Sequence, residues 1–263
     1  EEFTNPKTRL LFKNIVYVGA LSYLLGMDKE IYETLIAEQF KGKEKLIAPN
    51  IKALNIGYDY ASENLNGSCE IKVNKSEKTK GMILTSGNDA SGLGCVYGGA
   101  TVCSWYPITP STSLAEAFTD YSEKLRIEEN TNKNKYAIIQ AEDELAAIGM
   151  AIGANWNGAR AFTATSGPGI SLMSEFLGLA YFAEVPLVVF DIQRGGPSTG
   201  MPTRTQQSDV LSCAYASHGD TKHVLLIPSD PKECFEFAAE AFDLADRIQT
   251  PVIVLSVLDL GMN

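Results

Sequence analysis

The chain reads as an α/β fold on a doubly wound parallel sheet, preceded by a smaller, mostly helical piece. Three observations predict it. From Gly81 onward, short apolar runs alternate with helical stretches, the pattern of successive βαβ units. Four segments, three rich in Gly, Pro and hydroxyl side chains and one carrying the acids Glu142-Asp-Glu144, fall where strands should end. A polar, lysine-bearing stretch separates this region from a helical N-terminal part.

The elements follow in order. Residues 14–25 are apolar with small side chains. Residues 29–40 set Ile31, Leu35, Ile36 and Phe40 at helical spacing, and residues 50–61 repeat the pattern with Ile51, Leu54, Ile56 and Tyr60. Residues 1–63 are therefore expected to form a helical piece. Residues 64–80 open on Asn64-Leu-Asn-Gly-Ser68 and carry Lys72, Lys75, Lys78 and Lys80. Turn formers followed by like charges make this the linker. In residues 81–263, strands are expected at 82–85, 136–140, 161–164, 186–191, 224–227 and 251–255. Helices are expected near 90–99, 114–125, 142–155, 170–183 and 231–247, with a helical turn at 209–216. No repeat at a solenoid period is present.

Composition narrows the function. A formal charge of -10 argues against nucleic acid, whose phosphates need a cationic face, and disfavours anionic membranes. No apolar run is long enough to span a bilayer, and a cytoplasmic location is expected. Cys69, Cys95, Cys103, Cys213 and Cys234 are odd in number and irregular in spacing, with no Cys-x-x-Cys pair. Buried thiols in a reducing compartment are expected, not a disulfide framework, a zinc site or an iron–sulfur cluster. The chain opens on Glu1-Glu-Phe3 and closes on Leu260-Gly-Met-Asn263, and is expected to be a fragment.

The motifs are weighed against plainer roles. Gly87-Asn-Asp-Ala-Ser-Gly-Leu-Gly94 lacks the Lys and Ser/Thr of a phosphate loop, and Tyr97 spoils a dinucleotide fingerprint. Close packing explains its glycines better. In Tyr106-Pro-Ile-Thr-Pro-Ser-Thr112, two prolines pin Thr109 between them. Its hydroxyl could hold a substrate oxygen, while Ser111 or Thr112 could cap the next helix. Glu142-Asp-Glu144 suits the positive end of a helix, but Glu144 runs into Leu145-Ala-Ala-Ile148. A carboxylate desolvated among such residues can share a proton with a ring nitrogen. Thr165-Ser-Gly-Pro-Gly169 joins a strand to a helix, where backbone N–H groups can approach a ligand. Its plainer role is a tight turn capped by Ser166. Arg194, in Gln193-Arg-Gly-Gly-Pro-Ser-Thr-Gly200, could grip a carboxylate bidentately or simply lie on the surface. His218 and His223 show no metal-ligand spacing, so no metal site is assigned to this chain.

Taken together, Tyr106-Pro-Ile-Thr-Pro-Ser111, Ala141-Glu-Asp-Glu-Leu-Ala-Ala-Ile-Gly149, Thr163-Ala-Thr-Ser-Gly-Pro-Gly-Ile-Ser-Leu-Met173 and Gln193-Arg-Gly-Gly-Pro-Ser-Thr-Gly-Met-Pro-Thr203 resemble the α subunit of 2-oxoacid:ferredoxin oxidoreductases, most closely the 2-oxoglutarate type. Residues 81–263 are similar to its pyrimidine-binding domain of thiamine diphosphate enzymes. Residues 1–63 resemble the end of its γ domain, as in chains that fuse γ and α. The resemblance implies that Glu144 hydrogen-bonds N1′ of the aminopyrimidine and favours the tautomer that activates the cofactor. It further implies that Thr109 and Arg194 contact the substrate, and that Thr165 and Ser166 belong to the cofactor pocket. The implied reaction is oxidative decarboxylation of a 2-oxoacid to an acyl-CoA, with reduction of ferredoxin.

The departures are informative. No Gly-Asp-Gly motif for Mg²⁺ and diphosphate is present, nor any cysteine cluster for electron transfer. The resemblance places both on a partner β subunit that shares the thiamine diphosphate, so activity is expected only in the complex. Arg204 is a possible second cation for a dicarboxylate substrate. Two rival expectations stand beside this one: a non-catalytic α/β module that scaffolds a partner, and a nucleotide-binding Rossmann domain.

Overall fold

A computed structural model describes residues 6–131 and 133–263. The opening of the expected 1–63 piece, residues 1–5, lies outside the described residues. The chain divides into two units, Glu1–Ile83 and Leu84–Asn263.

The first unit is helical. Helices α1 (Pro6–Leu25), α2 (Lys29–Gln39) and α3 (Ile47–Asn64) match the helical periodicity, with α1 and α3 longer than the pattern suggests. Helices α1 and α3 cross closely because both carry glycine at the crossing. A Cβ on Gly57 would sit 2.9 Å from the Ala20 nitrogen and still closer to the Val16 carbonyl. Within residues 64–80, the part around Lys72 lies along the end of α1. The Val73 N–H donates to the Leu25 carbonyl at 2.8 Å, and Lys72 Nζ donates to the Leu24 carbonyl at 2.9 Å. The last turn of a helix leaves such carbonyls without intrahelical partners, and a lysine also meets the negative end of the helix dipole.

The second unit contains, among the described residues, six strands. They are β1 (Val102–Trp105), β2 (Ala137–Gln140), β3 (Ala161–Thr165), β4 (Leu187–Gln193), β5 (Val224–Leu226) and β6 (Pro251–Val257). Their order in the sheet is β2-β1-β3-β4-β6-β5, and every pairing is parallel. The helices are α4 (Gly87–Tyr97), α5 (Thr112–Leu125), α6 (Glu144–Trp156), α7 (Gly167–Phe182), α8 (Val210–Ala214), α9 (Pro231–Ile248) and α10 (Leu258–Met262).

Two differences from the sequence reading stand out. The expected strand at 82–85 does not form; Met82, Ile83 and Leu84 are exposed. Strand β1 was not anticipated. Its sequence, Val-Cys-Ser-Trp, has neither an apolar run nor an alternating one, and it is a strand because β2 and β3 flank it.

The alternation of a strand decides which helices it faces. In β4, Val188, Phe190 and Ile192 pack with residues of α4, α5 and α9, among them Val96, Phe118 and Phe242. Leu187 and Val189 turn the other way, toward Ile148 and Ile152 of α6 and Met173 and Leu177 of α7. All seven β4 residues are buried, as expected of a strand covered on both faces. Each fully buried aliphatic or aromatic side chain contributes about 1.5–3 kcal/mol. Phe162 lies at the centre of one layer, edge-to-face with Phe118, Phe190 and Phe242 at 5.0, 5.6 and 6.0 Å between centroids.

The connections fix where a ligand can bind. The chain leaves β1 through α5 toward β2, on the layer of Leu114 and Phe118. It leaves β3 through α7 toward β4, on the opposite layer. Adjacent strands whose connections depart in opposite directions open a crevice at their carboxyl ends. That crevice lies between the ends of β1 and β3.

Candidate active site

Four neighbouring strands, β2, β1, β3 and β4, deliver the expected residues to this edge. Thr109 follows β1, Glu144 follows β2, Thr165 ends β3 with Ser166 next to it, and Arg194 follows β4.

Glu144 is the first residue of α6, which begins two residues later than the expected 142–155 helix. Asp143 is the N-cap, accepting a hydrogen bond from the Ala146 N–H at 2.6 Å. Capping and the helix dipole account for Asp143, which with Glu142 is exposed. Glu144 is 7 % exposed. Among the described residues no donor hydrogen-bonds to its carboxylate and no cation pairs with it. Its stem packs on the start of α7: a Cβ on Gly169 would lie 3.0 Å from Glu144 Cγ and 3.0 Å from Thr165 Cβ, on top of the Thr165 hydroxyl. The structure thus brings Glu144, Thr165 and Gly169 together, with glycine required by space.

Ser166 occupies the N-cap position of α7, but its side chain makes no capping hydrogen bond. The expectation of a Ser166 cap fails on this point. Its hydroxyl is buried and has no partner among the described residues. A buried polar atom without a partner costs about 1–3 kcal/mol, and it marks a place where a ligand atom would be welcome.

Thr109 and Arg194 meet. Arg194 Nη1 donates to the Thr109 carbonyl at 2.5 Å, and Nη2 donates to the Thr199 carbonyl at 2.8 Å. Arg194 is 6 % exposed, so it is not the surface arginine of the plainer reading. Burial pushes its pKa down from the usual guanidinium value, and Asp209 nearby opposes that. The Thr109 side chain is exposed, so its hydroxyl is free to meet a ligand while its carbonyl anchors the loop. Ser111 and Thr112 do not cap α5; both hydroxyls donate to the Ile108 carbonyl, at 3.0 and 3.3 Å. Asn88 Nδ2 holds the same loop by donating to the Pro110 carbonyl at 2.8 Å and to Ser113 Oγ at 2.8 Å. The Thr109–Pro110 peptide is cis. Arg204 is exposed.

The glycines of Gly87–Gly94 serve packing. A Cβ on Gly92 would lie 2.8 Å from Ala117 Cβ in α5, and one on Gly94 would lie 2.7 Å from Ala238 Cβ in α9. The contacts are helix on helix.

Sequence reasoning missed an acidic group under the Arg194 loop. Asp191, in the middle of β4, is fully buried, and Asp209 lies just before α8. An aspartate inside the apolar run Leu-Val-Val-Phe-Asp-Ile-Gln was a signal in plain view, because carboxylates are almost never fully buried without a partner.

Comparison with known proteins decides the family. Residues 93–257 match the profile described as pyruvate flavodoxin/ferredoxin oxidoreductase, thiamine diphosphate-binding, over more than half of the chain. The chain belongs to this family. Residues 3–60 match a second profile, pyruvate ferredoxin/flavodoxin oxidoreductase. The oxidoreductase-family chain is 41 % identical over 248 residues to subunit alpha of 2-oxoacid:ferredoxin oxidoreductase 2 of Aeropyrum pernix, covering 92 % of this chain and 38 % of that one. It is 39 % identical over 250 residues to 2-oxoglutarate oxidoreductase subunit KorA of Mycobacterium tuberculosis, covering 93 % and 37 %. Among solved structures, a 2-oxoglutarate:ferredoxin oxidoreductase from Magnetococcus marinus, with 2-oxoglutarate, coenzyme A and succinyl-CoA bound, superposes with a TM-score of 0.81 at 37 % identity. That match covers 97 % of this chain and 44 % of the other. The chain therefore spans less than half the length of these relatives. The family's thiamine diphosphate-binding domain falls on the parallel sheet. Among the described residues, no helix is long and apolar enough to cross a membrane.

Proposed function

We propose that this chain is the thiamine diphosphate-activating part of a 2-oxoacid:ferredoxin oxidoreductase, acting in the cytoplasm on a 2-oxoacid, with 2-oxoglutarate the preferred substrate. The observation that carries the reading is Glu144: a buried residue whose carboxylate has no partner among the described residues, at the crevice edge of the sheet. Such a group fits a ring nitrogen that can share its proton, and the orphaned Ser166 hydroxyl, next in sequence to Thr165, fits a further polar atom of the same ligand. When bound, thiamine diphosphate supplies the carbon nucleophile and electron sink that decarboxylation of a 2-oxoacid requires.

This chain's own residues have narrower tasks. Glu144 would share a proton with a ring nitrogen of the pyrimidine, a role worth about 10²–10⁴-fold in rate. Gly169 and Thr165 set the distance at which the ring can approach it. Thr109 presents its hydroxyl to the substrate. Arg194 fixes the Thr109 loop through its carbonyl and offers its remaining N–H groups to the substrate carboxylate. The residue 1–63 piece is the end of a γ domain fused to this one, joined through residues 64–80.

Magnesium, the diphosphate-binding half of the site and the iron–sulfur cluster belong, in this reading, to a β subunit. Coenzyme A accepts the acyl group and ferredoxin the electrons. An apolar surface supports such a partner: Leu145, Met150, Trp156, Leu172, Leu179 and Phe182 of α6 and α7 are exposed, Phe182 at 90 %. Apolar side chains massed on one side of a domain mark protein contacts.

The deciding experiment is Glu144→Gln in the full-length subunit assembled with its partner. Turnover should fall by about two orders of magnitude or more, with the complex intact. Near-normal turnover would refute the role assigned to Glu144 and, with it, the reading.

A further inference from the structure

Beneath the loop that carries Arg194, two carboxyl groups face each other without a cation between them. Asp191 of β4 is fully buried, and Asp209 is half-buried at the start of α8. They lie within hydrogen-bonding reach of one another. Asp191 Oδ1 and Asp209 Oδ2 are both buried, and neither receives a hydrogen from any donor among the described residues. The other Asp191 oxygen has the Cys213 thiol at 3.5 Å. Arg194 is the charged neighbour of Asp209, but its Nη groups are turned to the Thr109 and Thr199 carbonyls. Two buried acceptors that face each other are both satisfied by one proton placed between them.

The pair is built into its surroundings. The Asp209 N–H donates to Gln193 Oε1 at 3.1 Å, and Gln193 Nε2 donates to the Ser256 carbonyl at 3.1 Å. Gly167, at the start of α7, leaves room for the Asp209 carboxyl, which would stand 2.8 Å from a Cβ there. The loop from Arg194 to Ser208 is thus tied at both ends to the carboxyl edge of β4.

We propose that Asp191 and Asp209 share one proton, and that this bond positions the 194–208 loop and with it the Arg194 guanidinium. Asp191 carries the proton and Asp209, beside Arg194, keeps the charge. They titrate as a unit, and the groups facing them are Arg194 and the Cys213 thiol. Burial, with Asp209 alongside, holds the Asp191 carboxyl well above the usual carboxylate range, and burial raises Asp209 as well. The sign follows: the stabilisation is complete at acid pH, below the carboxylate range of the unfolded chain, and is lost as the pH rises through the folded-state value. Only the catalytic consequence, a misplaced Arg194, rests on the function proposed above.

The test uses the full-length protein and three readouts. Infrared difference spectra should show a protonated carboxyl band at neutral pH that Asp191→Asn and Asp209→Asn each remove. Trypsin should cut after the exposed Arg204 faster as the pH is raised, by about tenfold, relative to Asp209→Asn at each pH. Asp209→Asn, whose amide supplies a hydrogen that does not titrate, should hold the loop closed at every pH, whereas Asp209→Ala should leave it open throughout. In the assembled enzyme, Asp209→Ala should raise KM for the 2-oxoacid more than it lowers kcat, and Asp209→Asn should restore KM. Absence of the infrared band, or identical pH dependence of cutting in the wild type and Asp209→Asn, would overturn the shared proton whether or not the complex turns over. Both outcomes remain readable if Asp209→Ala fails to fold. A normal band and loop response with unchanged kinetics would overturn the positioning of Arg194 alone.

Discussion

Arg194 and Thr109 are joined by a hydrogen bond of 2.5 Å from guanidinium to backbone carbonyl, tying the end of β4 to the loop after β1. The two residues are 85 positions apart in sequence and come from strands separated by β3. The bond therefore spans the crevice edge at the point where the sheet connections diverge.

Arg194→Lys should expose what that bond does. Lysine keeps the charge but cannot reach two carbonyls with a planar fork. Losing one charge-assisted bond costs about 1.5–3 kcal/mol. If the loop carries Thr109 to the substrate, kcat/KM in the assembled enzyme should fall about 10–100-fold. The check is steady-state kinetics, with the circular dichroism spectrum unchanged. A variant of full activity would show that the Thr109 loop does not need Arg194.

Gly169→Ala tests the crowding next to Glu144. In an open helix, alanine in place of glycine stabilises by about 1 kcal/mol. Here the new Cβ would collide with the Thr165 hydroxyl and lie 3.0 Å from Glu144 Cγ. Overpacking of this kind costs about 1–3 kcal/mol, so the sign should reverse. The variant should unfold at lower urea concentration and bind thiamine diphosphate more weakly in the complex. Stabilisation on alanine substitution would contradict the packing described.

The positions of these groups were legible in the sequence to different depths. Glu144 could be picked out because three acids open a helix and only the third runs into apolar residues. Its isolation from other side chains could not, because that depends on what α7 brings alongside. Arg194 was visible as an arginine at a strand end, but its partners are carbonyls, and backbone carbonyls carry no residue-specific signal. Strand β1 escaped because its length and composition say nothing, while residues 82–85 have the composition of a strand and no strand to pair with. Strand β4 and helix α9 were plain because burial on both faces and a long amphipathic period each leave a strong pattern.

His223 should make the second unit acid-sensitive. Its Nε2–H donates to the Ala216 carbonyl at 3.1 Å, and its ring stands edge-on to Tyr181 at 5.6 Å. Nδ1 is buried with no partner among the described residues. Protonation would place an N–H where no acceptor waits, and burial accordingly depresses the His223 pKa. A depressed folded-state value means stability is present above the unfolded value of about 6.5 and is lost as the pH falls through the folded one. Urea unfolding across the mildly acid range should show the slope, and His223→Gln should flatten it. An unchanged slope in that variant would assign the acid sensitivity elsewhere.

Phe162→Ala tests the layer beneath the crevice. Phe162 is fully buried and touches rings from α5, β4 and α9 at once. Removing it deletes three edge-to-face contacts and leaves a cavity that rigid strands on both sides cannot close. Such truncations cost about 3–5 kcal/mol, a large share of the roughly 5–15 kcal/mol that holds a typical domain. The expected result is a lower urea midpoint with an unchanged slope, since the surface exposed on unfolding stays nearly the same. Phe162→Leu, which refills most of the volume, should recover the larger part of the loss. If alanine and leucine were equally mild, Phe162 would not be the centre of that layer, and the register that places Thr165 three residues further along β3 would have to be fixed by other contacts.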